Sequence, residues 1–162
     1  MSENIEDKMK TNRWVFALYI GFFAGLIWGA LKIVEQYLKF TKIVIGFLVE
    51  PFFRHDFLLS WQGTLIGWGF FTLFSIVAAY IYMVTLWRLQ GPWWGIAYGA
   101  VWWGALYLLV GPLAGMTYWI KDLDINSVLS DLCLFLVWGM FIGYSIAIEY
   151  TDERTREPIH KS

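Results

Sequence analysis

The stretch LQGPWWGIAYGAVWWGALYLLVGPLAGMTYWI, residues 89–120, decides the fold class because it contains no charged residue. Its 32 residues exceed the roughly 20 that an α-helix needs to cross a bilayer. On a helical wheel its glycines fall in two opposite sectors, one with Gly91, Gly95 and Gly99 and the other with Gly104, Gly111 and Gly115. Small residues let helices approach closely in lipid, so this pattern predicts a central membrane helix with neighbours on two sides.

Three further apolar stretches bring the number of predicted spans to four. The predicted spans are residues 14–38, 57–87, 92–120 and 127–149. The apolar segment 43–53 is too short to cross a bilayer. Runs of this length are interfacial, re-entrant or a buried core helix, and we expect one of the first two here. The sequence therefore predicts an all-α integral membrane protein. Its single domain, residues 14–150, is a four-helix bundle flanked by polar tails at 1–13 and 151–162.

Composition supports a membrane protein and excludes several other classes. Hydrophobic residues make up 59% of the chain and charged residues only 15%, unlike ordinary globular proteins. Lys and Arg number 12 against 13 for Asp and Glu, so no basic face exists for nucleic acid. Cys133 is the single cysteine and the two histidines lie far apart in sequence. We therefore predict no intrachain disulfide, no metal site and no cofactor.

Two charged positions beside the apolar spans are candidates for binding an ion or a ligand, because ionisable groups inside membranes are usually functional. Glu35 lies about 32 Å along the first helix from Trp14, which places it at the far interface. There it is expected to share a solvated helix end with Lys32. Asp131 precedes the uncharged stretch 132–148. It is either a carboxylate favoured by the helix dipole or a group that handles a proton or cation.

The loop between the first two spans holds the densest group of ionisable residues. Glu50 and Arg54 are its candidate ligands for an ion or a lipid headgroup. The alternative is a polar rim where a surface segment turns back toward the membrane.

Trp102 and Trp103 lie near the middle of the third span, away from the interfaces where tryptophan is usually enriched. They either pack against glycines of neighbouring helices or hold a lipophilic ligand or a specific lipid. Pro112 follows them in the same span and is expected to kink the helix or open its hydrogen-bond ladder.

Small residues recur at four-residue spacing in every span. The glycines predicted to pack helices are Gly21, Gly25, Gly29, Gly95, Gly99, Gly104, Gly111, Gly115, Gly139 and Gly143. The stripe in the first span is the longest and lies furthest from the short link between the second and third spans. We therefore expect it to face a partner membrane protein or a second copy of the chain, with membrane lipid as the other partner.

Three motifs together resemble the YqhR family of multi-span membrane proteins of Bacillus-type bacteria. They are EPFF at 50–53, GPWWGIAYG at 91–99 and FIGYSIAIEY at 141–150. The resemblance implies a protein of the bacterial plasma membrane, and it carries over no catalytic residue.

The spans contain no HExxH motif, no paired carboxylates and no histidine, so we predict a protein that is not an enzyme. The glycine stripes favour an accessory or scaffold subunit, or a lipid-interacting component, of a membrane complex. The alternative is a small transporter or channel for a lipophilic or neutral solute. Seven basic residues lie on the side of the two termini and five on the opposite side, which predicts that both termini are cytoplasmic.

Overall fold

The computed structural model describes residues 12–86, 89, 91–115 and 123–155, with backbone alone for 150–155. In chain order the elements are α1 (Arg13–Tyr37), a 3-10 segment (Ile45–Val49), α2 (His55–Leu58), α3 (Trp61–Thr85), α4 (Pro92–Gly104), a π segment (Ala105–Val110), α5 (Gly111–Ala114) and α6 (Ile125–Thr155). The described residues contain no β-strand.

Four helical stretches are long and apolar enough to cross a membrane. They are span 1 (Arg13–Tyr37), span 2 (Trp61–Thr85), span 3 (Pro92–Ala114) and span 4 (Ile125–Glu149). The predicted all-α bundle of four membrane helices, with a short segment between the first two, is therefore confirmed.

Some helix ends differ from those predicted. Span 2 begins at Trp61 rather than at residue 57, because the Ser60 hydroxyl accepts a hydrogen bond from the Gly63 amide at 3.1 Å and caps the helix. The helix of span 4 begins at Ile125 and continues to Thr155. The predicted end of span 3 at 116–120, the end of span 2 at residue 87 and most of both polar tails lie outside the described residues.

The helices form two closely packed pairs, span 1 with span 2 and span 3 with span 4. In the first pair, a Cβ placed on Gly21 would lie only 2.5 Å from the Ile76 Cα. In the second pair, a Cβ on Gly139 would lie 2.5 Å from the Gly99 Cα. The glycines therefore permit backbone contact within each pair, as helices in lipid require.

Span 4, and not span 3, is the central helix, so the prediction for span 3 is corrected. Span 4 packs against all three other spans and is the most deeply buried of the four. Among the described residues, a Cβ at Gly104 of span 3 would meet only Leu108 of the same span, at 3.9 Å, and a Cβ at Gly115 would meet nothing within 4 Å. Gly111 is buried at the start of α5.

The physical reason for this difference is that span 3 is not one regular α-helix. Residues 105–110 form a π segment directly before Pro112, whose ring nitrogen has no hydrogen to donate to the helical ladder. Gly115 then ends the span with a φ of 70°. A wheel drawn at a constant 100° per residue therefore misplaces the glycines after residue 104.

Aromatic side chains join the two helix pairs. Trp138 of span 4 is fully buried, and its indole N–H donates to the Ser75 hydroxyl of span 2 at 3.0 Å. The Tyr98 hydroxyl of span 3 donates to the Ala78 carbonyl of span 2 at 2.6 Å. Spans 2 and 3 thus meet through long side chains, although the link between them is short.

The loop after span 1 returns into the end of the bundle. Ile45 and Phe47 of the 3-10 segment are buried. A Cβ on Gly67, about 9 Å along span 2 from its first residue, would lie 2.5 Å from the Gly46 Cα. The first half of the predicted segment 43–53 therefore packs inside the bundle, whereas Phe52 is exposed.

Candidate functional site

A buried ion pair joins span 1 to span 4. The Lys32 ammonium binds the Asp131 Oδ1, and the exposed fractions of the two side chains are 2% and 0%. Lys32 lies five residues before the end of α1 and Asp131 six residues after the start of α6. At 1.5 Å per residue the pair is about 8–9 Å inside the bundle from this end.

The second carboxylate oxygen of Asp131 is bound by two hydroxyl groups. The Tyr107 hydroxyl, in the π segment of span 3, donates to Oδ2 at 3.0 Å. The Thr41 hydroxyl, from the loop after span 1, lies 3.5 Å from the same oxygen. Asp131 therefore links three spans and a loop, and we call Lys32, Glu35, Thr41, Tyr107 and Asp131 the charge cluster.

The 3-10 segment closes the charge cluster from the loop side. The Phe47 ring stacks on Tyr107 at 5.5 Å between centroids. Two hydrogen bonds fix the start of the loop. The Lys42 amide donates to the Ser127 hydroxyl at 3.0 Å, and the Ile43 amide donates to the Thr41 hydroxyl at 3.1 Å. These bonds hold the loop over the ion pair and keep Thr41 beside Asp131.

Glu35 is the half-buried member of the charge cluster. It lies one turn after Lys32 on the same helix, and Ser130 of span 4 is next to its carboxylate. The Glu35 Oε2 is buried and has no hydrogen-bond partner within the described part of the chain. The cluster thus contains one cation and two carboxyl groups.

Two expectations from the sequence are corrected here. Lys32 is not part of a solvated helix end, because span 4 places Asp131 against it. Asp131 is not simply a carboxylate stabilised by the helix dipole, because its charge is paired across the bundle. A usable signal was present: Lys32 ends the uncharged run 14–31 and Asp131 begins the uncharged run 132–148, at the same end of two antiparallel spans.

Sequence reasoning missed Tyr107 and Thr41. Neither residue type is unusual at its position, and nothing local distinguishes them. Their role depends on the 3-10 segment and the π segment, which bring both hydroxyls to Asp131.

Glu50 and Arg54 form a surface rim rather than part of the charge cluster. The Glu50 Oε1 lies 2.6 Å from the His55 Nδ1, in a pair whose side chains are partly exposed. Arg54 is exposed beside them.

Trp102 and Trp103 take part in packing. Trp102 meets Phe74 of span 2 edge to face, with 4.9 Å between ring centroids. Trp103 stacks on Tyr107 at 5.7 Å, which extends the aromatic wall beside the charge cluster.

An apolar groove lies between span 1, span 4 and the start of span 3. Its volume is about 420 Å³, and its lining residues are Trp28, Pro92, Val137, Met140, Phe141 and Tyr144. Trp28 precedes Lys32 by one helical turn, so the groove and the charge cluster occupy one face of span 1. Trp102 and Trp103, the predicted lipophile ligands, do not line this groove.

The fold and the charge cluster define a class: a four-span integral membrane protein with an ion pair buried between its first and last spans. The sequence model of a family described as "Conserved membrane protein YqhR" matches residues 2–161. The chain therefore belongs to the YqhR family, which confirms the resemblance seen in its motifs. It is similar to "Uncharacterized protein YqhR" of Bacillus subtilis (strain 168), with 29% identity over 132 residues, 82% of this chain and 74% of that protein. No solved structure matches the chain.

Proposed function

We propose that the chain is a non-enzymatic carrier of the bacterial plasma membrane for a lipophilic or neutral solute. One observation supports this proposal above the others. An apolar groove is lined by Trp28, which lies one helical turn before Lys32 of the buried charge cluster on the same face of span 1.

The groove has the size and lining that a small apolar ligand needs. Its volume of about 420 Å³ falls within the roughly 300–1,000 Å³ typical of small-molecule sites. The Trp28 and Phe141 rings, 4.9 Å apart between centroids, form an aromatic wall. A solute dissolved in the bilayer would contact this wall directly.

The accessory-subunit interpretation loses its main support. It required the glycine stripe of span 1 to be free for a partner, but Gly21 and Gly25 lie against Ile76 and Thr72 of span 2. A scaffold also has no need of the charge cluster, because burying an ion pair is often no more stable than apolar packing of similar volume. Charged groups inside membrane bundles usually mark substrate or ion paths.

Filling the groove tests the proposal. Val137 lines the groove and is 46% exposed, so Val137→Trp should occupy the groove without disturbing the bundle. Leu129→Trp is the matched control, because Leu129 is 52% exposed on the same helix and does not line the groove.

The measurement is native mass spectrometry after purification in a gentle detergent. We expect a small lipophilic molecule to accompany the wild type and Leu129→Trp, and to be absent from Val137→Trp. A stoichiometric protein partner in place of the small molecule would contradict the carrier proposal and favour the accessory subunit.

A further inference from the structure

The charges of the charge cluster do not balance, and we propose that Glu35 binds an exchangeable proton there. The inference rests on the proposed carrier function for its purpose, since a bound proton would supply the coupling ion. Proton binding itself can be measured without any solute.

The Glu35 carboxylate has Ser130 beside it, but the Lys32 charge one turn away is already paired. The Lys32 ammonium is paired with Asp131, which also accepts a hydrogen bond from Tyr107. The Glu35 Oε2 is buried and receives no hydrogen bond from the described residues. A buried carboxylate oxygen without a partner is costly. Protonation removes the excess negative charge and converts Glu35 into a hydrogen-bond donor.

A proton suits this site better than a metal ion. Lys32 already places a positive charge inside the charge cluster, so a second fixed cation would be repelled. A hard metal ion also needs several oxygen ligands. No group of three metal-ligating side chains meets anywhere in the described ranges.

Glu35 is the least buried member of the charge cluster. Lys32 on the same helix, Asp131 on span 4, Tyr107 on span 3 and Thr41 in the loop are all buried, whereas Glu35 is half-exposed. A proton taken from water forms an O–H bond on the Glu35 carboxylate, and the same bond breaks when the proton returns. Asp131 is fully buried.

Infrared spectroscopy of the purified full chain in lipid nanodiscs tests the inference. At a pH where exposed glutamates are ionised, wild type labelled with 13C-glutamate should show the band of a protonated carboxyl group at the isotope-shifted position. Glu35→Gln should lose the band, and Glu50→Gln should keep it, because Glu50 is a carboxylate of the surface rim. Gln has the shape of protonated Glu, so Glu35→Gln should unfold at the same temperature as the wild type.

A band that persists in Glu35→Gln would overturn the inference. If that variant does not fold, labelled wild type still tests the inference, because the absence of a glutamic-acid band at a pH where exposed glutamates are ionised also overturns it. Solute binding without such a band would contradict the proton site and support the carrier proposal. A band without solute binding supports the proton site and contradicts the carrier proposal.

Discussion

At the scale of single residues, the Lys32–Asp131 pair is held where water is largely excluded. Two charges lose hydration there, and their mutual attraction and added hydrogen bonds offset that loss. Removing one partner leaves an unpaired buried charge, whereas removing both leaves neither member of the pair unpaired.

We therefore expect Lys32→Met or Asp131→Asn alone to lower the free energy of unfolding by about 3–5 kcal/mol. The double variant Lys32→Met/Asp131→Leu should lie closer to the wild type than either single variant, because neither member of the ion pair is left unpaired. Unfolding in detergent, followed by tryptophan fluorescence, measures these differences.

The control for these single and double variants is the exposed ion pair between Lys42 and Asp124. Solvent screens that pair, so Lys42→Met should cost at most about 1 kcal/mol. An equal cost for Lys32→Met and Lys42→Met would contradict the burial of the Lys32 charge.

Only part of the charge cluster could be predicted from the sequence. Asp131 and Glu35 stood out because charges beside apolar runs are rare. The partnership of Asp131 with Lys32 joins residues 99 positions apart, and only the arrangement of the spans creates it. The roles of Tyr107 and Thr41 have the same origin, so no local pattern could reveal them.

At the scale of elements, the glycine stripes bind each helix to one neighbour. On span 1, a side chain at Gly25 would overlap Thr72 of span 2. We expect Gly25→Leu to destabilise the isolated monomer by about 1–3 kcal/mol through overpacking. Gly69→Leu on span 2 is the matched control, because a Cβ at Gly69 meets nothing within 4 Å.

Thermal unfolding in detergent compares the two variants. A Gly25→Leu monomer as stable as Gly69→Leu would show that the stripe of span 1 is free, and would restore it as a surface for a partner.

Span 3 offers a second comparison within one helix. Gly99 lies against the Phe135 backbone of span 4, whereas Gly104 faces no neighbouring helix among the described residues. Gly99→Leu should lower stability by about 1–3 kcal/mol and Gly104→Leu should be tolerated. Equal destabilisation by both changes would contradict the peripheral position of span 3.

The number of spans could be predicted because length and hydropathy are local properties of the chain. Which helices pair with each other could not be predicted. Small residues recur at four-residue spacing in all four spans, so the spacing does not identify the neighbour of any one span. The π segment before Pro112 also breaks the regular period on which the wheel argument for Gly111 and Gly115 depended.

At the scale of the whole molecule, the predicted orientation places both termini in the cytoplasm and the charge cluster at the outer end of the bundle. Single-cysteine variants on a Cys133→Ser background test this in whole cells. An impermeant reagent should label Phe40→Cys and not Arg156→Cys. The opposite labelling would reverse the orientation, and with it the side from which Glu35 takes its proton.

We propose that the charge cluster works in transport and does not merely hold spans 1 and 4 together. The double variant Lys32→Met/Asp131→Leu separates these roles, because it is expected to fold normally without the charges. The decisive measurement is uptake of the co-purifying lipophilic molecule by proteoliposomes under an imposed pH gradient. We predict uptake by the wild type and none above empty liposomes by the folded double variant. Equal uptake by both proteins would contradict the account.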